Sequence, residues 1–290
     1  MFYTGVADAQ SPDLVTLHDS PAAKWAEVQG LAISTDGLKT WVKQSAPVIA
    51  TPPLPAKTIS GWRDPVVWRD SSTGSWSMIT GAGIMHGGGG RVFQYTSKDL
   101  YHWSYVGVLA QGKTNGANTP DPVDSADMWE CPDFFKIGNT NVLIYAVVRK
   151  IYWQTGRLSG TSFVANKPEQ LLDNGLYYAT RSQLDKDGNR ILWGWIKEAP
   201  SRTDAGLRAA GWAGVMALPR QLTVASDQSL IIDPAPAVNA LRGARQQIDL
   251  GNGGGSVPVA KATIAYMVFS QHRATGSCQC CYGQGQFVKS

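Results

Sequence analysis

Residues 61–80 read GWRDPVVWRDSSTGSWSMIT, and residues 129–148 read WECPDFFKIGNTNVLIYAVV. Each stretch carries an Asp ahead of an apolar pair, Asp64-Pro65-Val66-Val67 in one and Asp133-Phe134-Phe135 in the other, 69 residues apart. Each then turns through small polar residues and runs into an apolar segment, SWSMIT or NVLIYAVV, of strand length and composition. A second echo runs beside the first. Ser34-Thr35-Asp36-Gly37-Leu38 leads to Trp41, and Ser97-Lys98-Asp99-Leu100 leads to Trp103, with the two serines 63 residues apart. A period of 60–70 residues carrying about four short strands is that of one β-propeller blade with long loops.

The rest of the chain extends the pattern. Strand-like segments at 28–34, 65–68, 75–80, 91–96 and 142–148 are separated by Gly, Asp, Asn and Ser clusters. Residues 176–196 read as a strand, a turn at Asp187-Gly188-Asn189 and an aromatic strand, and residues 211–232 hold a further hairpin turning at Ser226-Asp227. This makes about four blade-sized units before residue 235. The best helical candidate, 236–245, is short. GNGGG at 251–255 reads as a linker, and the remainder to 290 as an irregular tail. The division expected is a partial propeller over 1–235, a linker over 236–250 and a tail over 251–290.

Composition agrees with an all-β protein. The 290 residues include 11 Trp, 10 Tyr, 31 Gly and 16 Pro, turn-formers in quantity and aromatic faces suited to stacking on sugars. Lys and Arg exceed Asp and Glu by 26 to 22, with no basic run, so the charge gives no reason to expect a nucleic-acid partner. No apolar stretch approaches the about 20 residues of a spanning helix, and no membrane partner is expected. No charged and apolar leader precedes the first strand, so no signal peptide is read; the chain is then either cytosolic or a stretch from within a longer protein. Cys131 stands alone, while Cys278, Cys280 and Cys281 cluster without partner ligands, a poor zinc pattern, and neither metal nor cofactor is expected.

Two segments carry chemistry. Gly61-Trp62-Arg63-Asp64-Pro65 and Met128-Trp129-Glu130-Cys131-Pro132-Asp133 each set an acid near Trp at the start of a predicted strand. The first strand of each blade lines a propeller's axis, so these acids can converge on one pocket, as the paired carboxylates of glycoside hydrolysis must. On chemistry alone either Glu130 or Asp133 can be the acid. Glu130 is favoured, with Trp129 and Phe134 expected to desolvate it and hold its proton. Asp64, beside Arg63, is expected to stay ionised.

GWRDP (61–65), WECPDFF (129–135), RILWGWI (190–196) and GWAGV…PR (211–220), in this order, resemble glycoside hydrolase family 32, the invertases, inulinases, levanases and related fructosyltransferases. FYTG (2–5) and STDGLKTW (34–41) are also similar to that family, and the likeness covers residues 2–245. The resemblance implies a five-bladed β-propeller followed by a β-sandwich, and a retaining reaction on the β-fructosyl linkages of sucrose or fructans, without a cofactor. It implies Glu130 as general acid/base and Asp64 as transition-state stabiliser. It places Arg63, Asp64, Cys131, Tyr178 and Trp193 against substrate, with Tyr177 a further wall residue, and places an intact member outside the cell or in the vacuole. The family's nucleophile lies in a W-M-N-D-P-N-G-like motif that nothing in this chain matches. The expectation is therefore an incomplete propeller of about four blades, its first blade missing and its sandwich absent or only begun, with impaired hydrolysis. The alternative is a carbohydrate-binding propeller, or degenerate paralogue, that kept the sugar contacts without catalysis.

Overall fold

The computed structural model describes residues 1–8, 25–55, 58–71, 73–85, 87–113, 128–147, 150–199, 201–241, 256–258, 278–279 and 286–289. The chain divides into two units, Met1–Asn239 and Ala240–Ser290.

Among its described residues the first unit holds four antiparallel sheets in chain order. The first has β1 (Phe2–Asp8), β2 (Trp25–Ile33) and β3 (Val42–Lys43). The second runs β4 (Ile59–Arg69), β5 (Trp76–Ile84), β6 (Gly89–Ser97) and β7 (Ser104–Gln111), each paired with the next. The third has β8 (Glu130–Ile137), β9 (Thr140–Val147), β10 (Lys150–Ser159) and β11 (Ser162–Ala165), with the short β12 (Gln170–Leu171) also on β10. The fourth has β13 (Tyr177–Leu184) and β14 (Arg190–Ile196), then β15 (Val215–Met216) and β16 (Arg220–Val224), both on β14, and β17 (Leu230–Pro234). These are blades of a β-propeller, as the repeat predicts.

Strand β9 shows why the blades stack. Its residues from Val142 to Val147 are all buried, an unbroken apolar run as expected of a strand covered on both faces. Side chains alternate between faces with period 2. Leu143, Tyr145 and Val147 join Ile79, Val92 and Trp129 in the core between the second and third sheets. Val142, Ile144 and Ala146 join Tyr177, Leu192 and Leu222 in the core between the third and fourth. A third core, built on Trp62, Met78 and Phe93, lies under the first sheet, where Phe2 and Ile49 pack on it.

The Ser-x-Asp segments are matching turns. Ser34 Oγ accepts from the Leu38 N–H and Ser97 Oγ from the Leu100 N–H, both at about the same length (3.0 and 2.9 Å). Leu38 and Leu100 both sit in the left-handed region, at φ 70° and 73°. One turn joins β2 to β3 and the other β6 to β7. Among the described residues, the first sheet therefore has counterparts of β5, β6 and β7 and none of β4.

The 69-residue echo needs a correction. The first strand of each complete sheet slips register at a matching place: between Arg63 and Val66, between Glu130 and Asp133, and between Tyr178 and Arg181; β4 slips once more, between Ile59 and Gly61. Within each of the three matching slips one residue has positive φ: Asp64 (62°), Cys131 (48°) and Ala179 (49°). Asp64 thus corresponds to Cys131, and the structural repeat places Arg63 and Glu130 67 apart and Glu130 and Tyr178 48 apart. Asp133 takes the place of Val66. The sequence misled because both blades follow an Asp with two apolar residues.

The helical candidate at 236–245 is a 3₁₀ turn over Pro236–Leu241, with 242–245 outside the described residues. A helix that the sequence reading missed, α1 (Asp204–Ala210), starts at Thr203, whose side chain accepts from the Gly206 N–H, and stops at Gly211 with φ 74°. In the second unit β18 (Ser256–Pro258), β19 (Cys278–Gln279) and β20 (Gln286–Lys289) form one small sheet. Cys278 lies on β19; Cys280 and Cys281 fall outside the described residues.

Candidate active site

The three register slips give the site its form. A bulge bends its strand and re-aims side chains, and here it acts at one level in the neighbouring strands β4, β8 and β13. The residues leading into the three slips, Arg63, Glu130 and Tyr178, meet. Arg63 Nη2 donates to Glu130 Oε1 at 2.6 Å, and the Tyr178 hydroxyl donates to Glu130 Oε2 at 2.5 Å. Glu130 therefore has each carboxylate oxygen held by a different sheet, with 29% of its side chain exposed for contact with a ligand.

Asp64 is tied into the same junction. Its Oδ2 accepts the Cys131 N–H at 2.8 Å, and its own N–H donates to Thr4 Oγ1 at 2.9 Å. The sequence pointed to Arg63, Asp64, Glu130, Cys131 and Tyr178, and the structure brings these five together. Tyr177 is directed into the core, with the Arg220 guanidinium 3.9 Å from its ring centre. Trp193 is one strand removed, opposite Arg181 in the β13–β14 ladder.

Asp133, the other candidate acid, is 2% exposed and accepts the Ser182 N–H at 2.7 Å through Oδ2. Burial pushes its carboxyl up, against the opposing pull of Arg181. It has no route to a ligand. The expected cover over Glu130 is also different. Trp129 stacks on Tyr145 at 3.8 Å and Phe134 packs near Trp68 and Phe163, all within the core. The groups on the Glu130 carboxylate are Arg63 and Tyr178 instead.

Glu27, on β2, was missed. Its Oε1 pairs with Arg63 Nη1 at 3.0 Å while its Oε2 accepts the Trp62 N–H at 2.5 Å. Burial opposes the Arg63 charge, yet the Glu130 hydrogen bond and the charges of Glu27, Glu130 and Asp64 outweigh it and hold the guanidinium protonated more firmly than usual. The neighbour of Glu27 on the same face of β2, Gln29, is fully buried and donates to the Trp62 carbonyl at 3.0 Å, and no motif in the sequence marks either residue. Arg181 was missed as well, from a polar TRSQ stretch that reads as a solvated strand face. Lys197 stands over the Tyr178 ring, 3.3 Å from its centre. The Cys131 thiol is pushed up to about 12, by burial first and by the Asp64 charge second, which removes it as a nucleophile. Among the described residues no group of three His, Cys, Asp or Glu could hold a metal ion.

The junction of the three sheets thus holds the Glu130 carboxylate between an arginine and a tyrosine, with the Asp64 carboxylate on the adjoining Cys131 N–H. Residues 1–234 match the family described as glycosyl hydrolases family 32 N-terminal domain. The chain belongs to glycoside hydrolase family 32.

The sucrose-6-phosphate hydrolase of Zymomonas mobilis is 32% identical over 263 residues, 83% of this chain and 46% of that protein. The sucrose-6-phosphate hydrolase of Bacillus subtilis is 32% identical over 285 residues, 90% of this chain and 53% of its own length. Among solved structures, the β-fructofuranosidase of Bombyx mori aligns with TM-score 0.66 at 26% identity, over 84% of this chain and 49% of that one. The chain spans about half the length of the relatives it matches.

Proposed function

We propose that this chain contributes the acid/base side of a retaining β-fructosidase site, acting on sucrose, a phosphorylated sucrose or a fructan. The observation that carries the reading is the Glu130 carboxylate held between Arg63 and Tyr178, with Asp64 bound to the adjoining Cys131 N–H. In this reading Glu130 gives a proton to the leaving-group oxygen and later takes one from water, as a retaining acid/base does. Asp64 accepts hydroxyls of the fructosyl unit and faces the positive charge that develops at its anomeric carbon. Matched relatives are named for three substrate types: sucrose 6-phosphate, raffinose, in an invertase of Escherichia coli, and fructan, in an exohydrolase of Hordeum vulgare.

Residues 1–290 carry no W-x-N-D-P-N-G motif. A retaining reaction needs a carboxylate that attacks the anomeric carbon, and acid/base assistance, worth about 10²–10⁴ in rate, does not replace it. The 290-residue chain alone is therefore expected to release little fructose from sucrose or inulin. Azide tests this directly. It can attack the anomeric carbon as the glycosidic C–O bond breaks and Glu130 protonates the departing oxygen. Azide-dependent formation of fructosyl azide, abolished by Glu130→Gln, is the expected result. Efficient azide-free fructose release that survives Glu130→Gln overturns the reading. Sucrose binding without azide-dependent chemistry selects the non-catalytic carbohydrate-binding alternative.

A further inference from the structure

The Arg181 side chain bonds neither the Glu130 nor the Asp64 carboxylate, yet it reaches the backbone that carries both. Its Nη2 donates to the Asp64 carbonyl at 3.0 Å and its Nη1 donates to the Pro132 carbonyl. These two carbonyls are in a special position. The β4–β5 ladder pairs Arg63 with Gly81 and next Val66 with Ile79; the β8–β9 ladder pairs Glu130 with Ala146 and next Asp133 with Ile144. Asp64 and Pro132 each lie inside a slip, where the strand ladder offers no regular partner. Each slip also holds a non-glycine residue at positive φ, a conformation that persists only when its surroundings hold it.

We infer that Arg181 is a positioning residue: its guanidinium spans the two slips from the third and fixes the placement of Asp64 relative to Glu130. The chemistry suits arginine. A guanidinium presents several donors in a planar fork, whereas a lysine ammonium is a point charge on a flexible stem. Arg181 leaves its own strand at the matching slip, between Tyr178 and Arg181, so one side chain links all three slips. A purely electrostatic role is the competing explanation, because Arg181 also favours the ionised form of buried Asp133. The two differ in what lysine can replace.

Cys131 reports on the slip without any ligand. It sits inside the slip, half-buried, with its N–H on Asp64. Labelling of the intact chain with N-ethylmaleimide, followed at the Cys131 peptide by mass spectrometry and referenced to the Cys278 peptide, measures how often the slip opens. Arg181→Lys and Arg181→Gln are both expected to speed Cys131 labelling about tenfold, the scale of one lost charged hydrogen bond, with the far-ultraviolet circular dichroism unchanged. Millimolar guanidinium added to Arg181→Gly is expected to slow labelling again, and ammonium at the same concentration is not. Wild-type labelling in Arg181→Lys, or equal rescue by ammonium, shows that charge alone suffices and overturns the inference. Should Arg181→Gln fail to fold, Arg181→Lys, which keeps the charge, carries the comparison. The readout needs no sugar, so it stands apart from the fate of the fructosidase reading.

Discussion

Arg63 has a carboxylate on each of two nitrogens, Glu27 at 3.0 Å and Glu130 at 2.6 Å. Removing Glu27 has two consequences: Arg63 keeps a single carboxylate partner, and the Trp62 N–H loses its acceptor. Glu27→Ala should cost about 1–2 kcal/mol in urea denaturation, a figure discounted for the partial exposure of the pair. Tyr178→Phe tests the other side of Glu130. It deletes one hydroxyl, keeps the ring under Lys197, and should weaken sucrose binding while the melting temperature stays near the wild-type value. An unchanged calorimetric affinity would remove Tyr178 from the site. At this scale the sequence was informative where a residue type is rare in its setting, as with Glu130 between Trp and Cys. It was silent where the partner is a backbone carbonyl, since nothing in TRSQ indicates that Arg181 reaches Asp64 and Pro132 across the axis.

The turn between β2 and β3 depends on Asp36. Its carboxylate accepts the Lys39 and Thr40 N–H groups and the Thr40 hydroxyl, and the Thr40 hydroxyl bond leads the causes that lower it from 3.8 to about 2. A lowered carboxyl stabilises the fold above its unfolded value, and that contribution is lost as pH falls through the folded one. The melting-temperature gap between wild type and Asp36→Asn should therefore be full at pH 5 and close as pH drops toward 2. A gap that persists at pH 2 would mean the turn does not depend on the charge. Leu38 in the same turn is exposed at φ 70°. Leu38→Gly should stabilise by about 0.5–1 kcal/mol, the relief of left-handed strain exceeding the entropy that glycine adds to the unfolded chain. These turns were legible because Ser-x-Asp chemistry is local. The slips in β4, β8 and β13 were not, because a bulge depends on which residue faces which across a ladder, and the sequence records only one side of that pairing.

In the first unit β9, from the NVLIYAVV stretch, is covered on both faces as an unbroken apolar run, while β5 is equally enclosed and carries buried Ser77 and Thr80. Strand β14 differs. Ile191 and Leu192 are buried, while Trp193 and Trp195 are exposed beside Val215 and a Met216 that is 65% exposed. Trp195 and Met216 are matched in the ladder, so these two large apolar side chains stand exposed together on one face of the fourth sheet. Patches of this kind promote association. Sedimentation velocity should show self-association of the 290-residue chain that rises with concentration. The double variant Trp195→Thr, Met216→Glu should reduce it without lowering the melting temperature. Equal association by the variant would place the sticky surface elsewhere. Trp193, in RILWGWI, stands opposite Arg181 in the β13–β14 ladder and is partly exposed.

The slips in β4, β8 and β13 make the axis editable. Each of the three complete blades presents one side chain at the same height, Arg63, Glu130 or Tyr178, and the strand pairing on either side of the slip holds whatever letter stands there. Duplicated blades can thus diverge at these positions while the scaffold stays constant. The three complete blades set a cation, an acid and a phenol side by side at this level, so one side chain per blade fixes the chemistry of the ring.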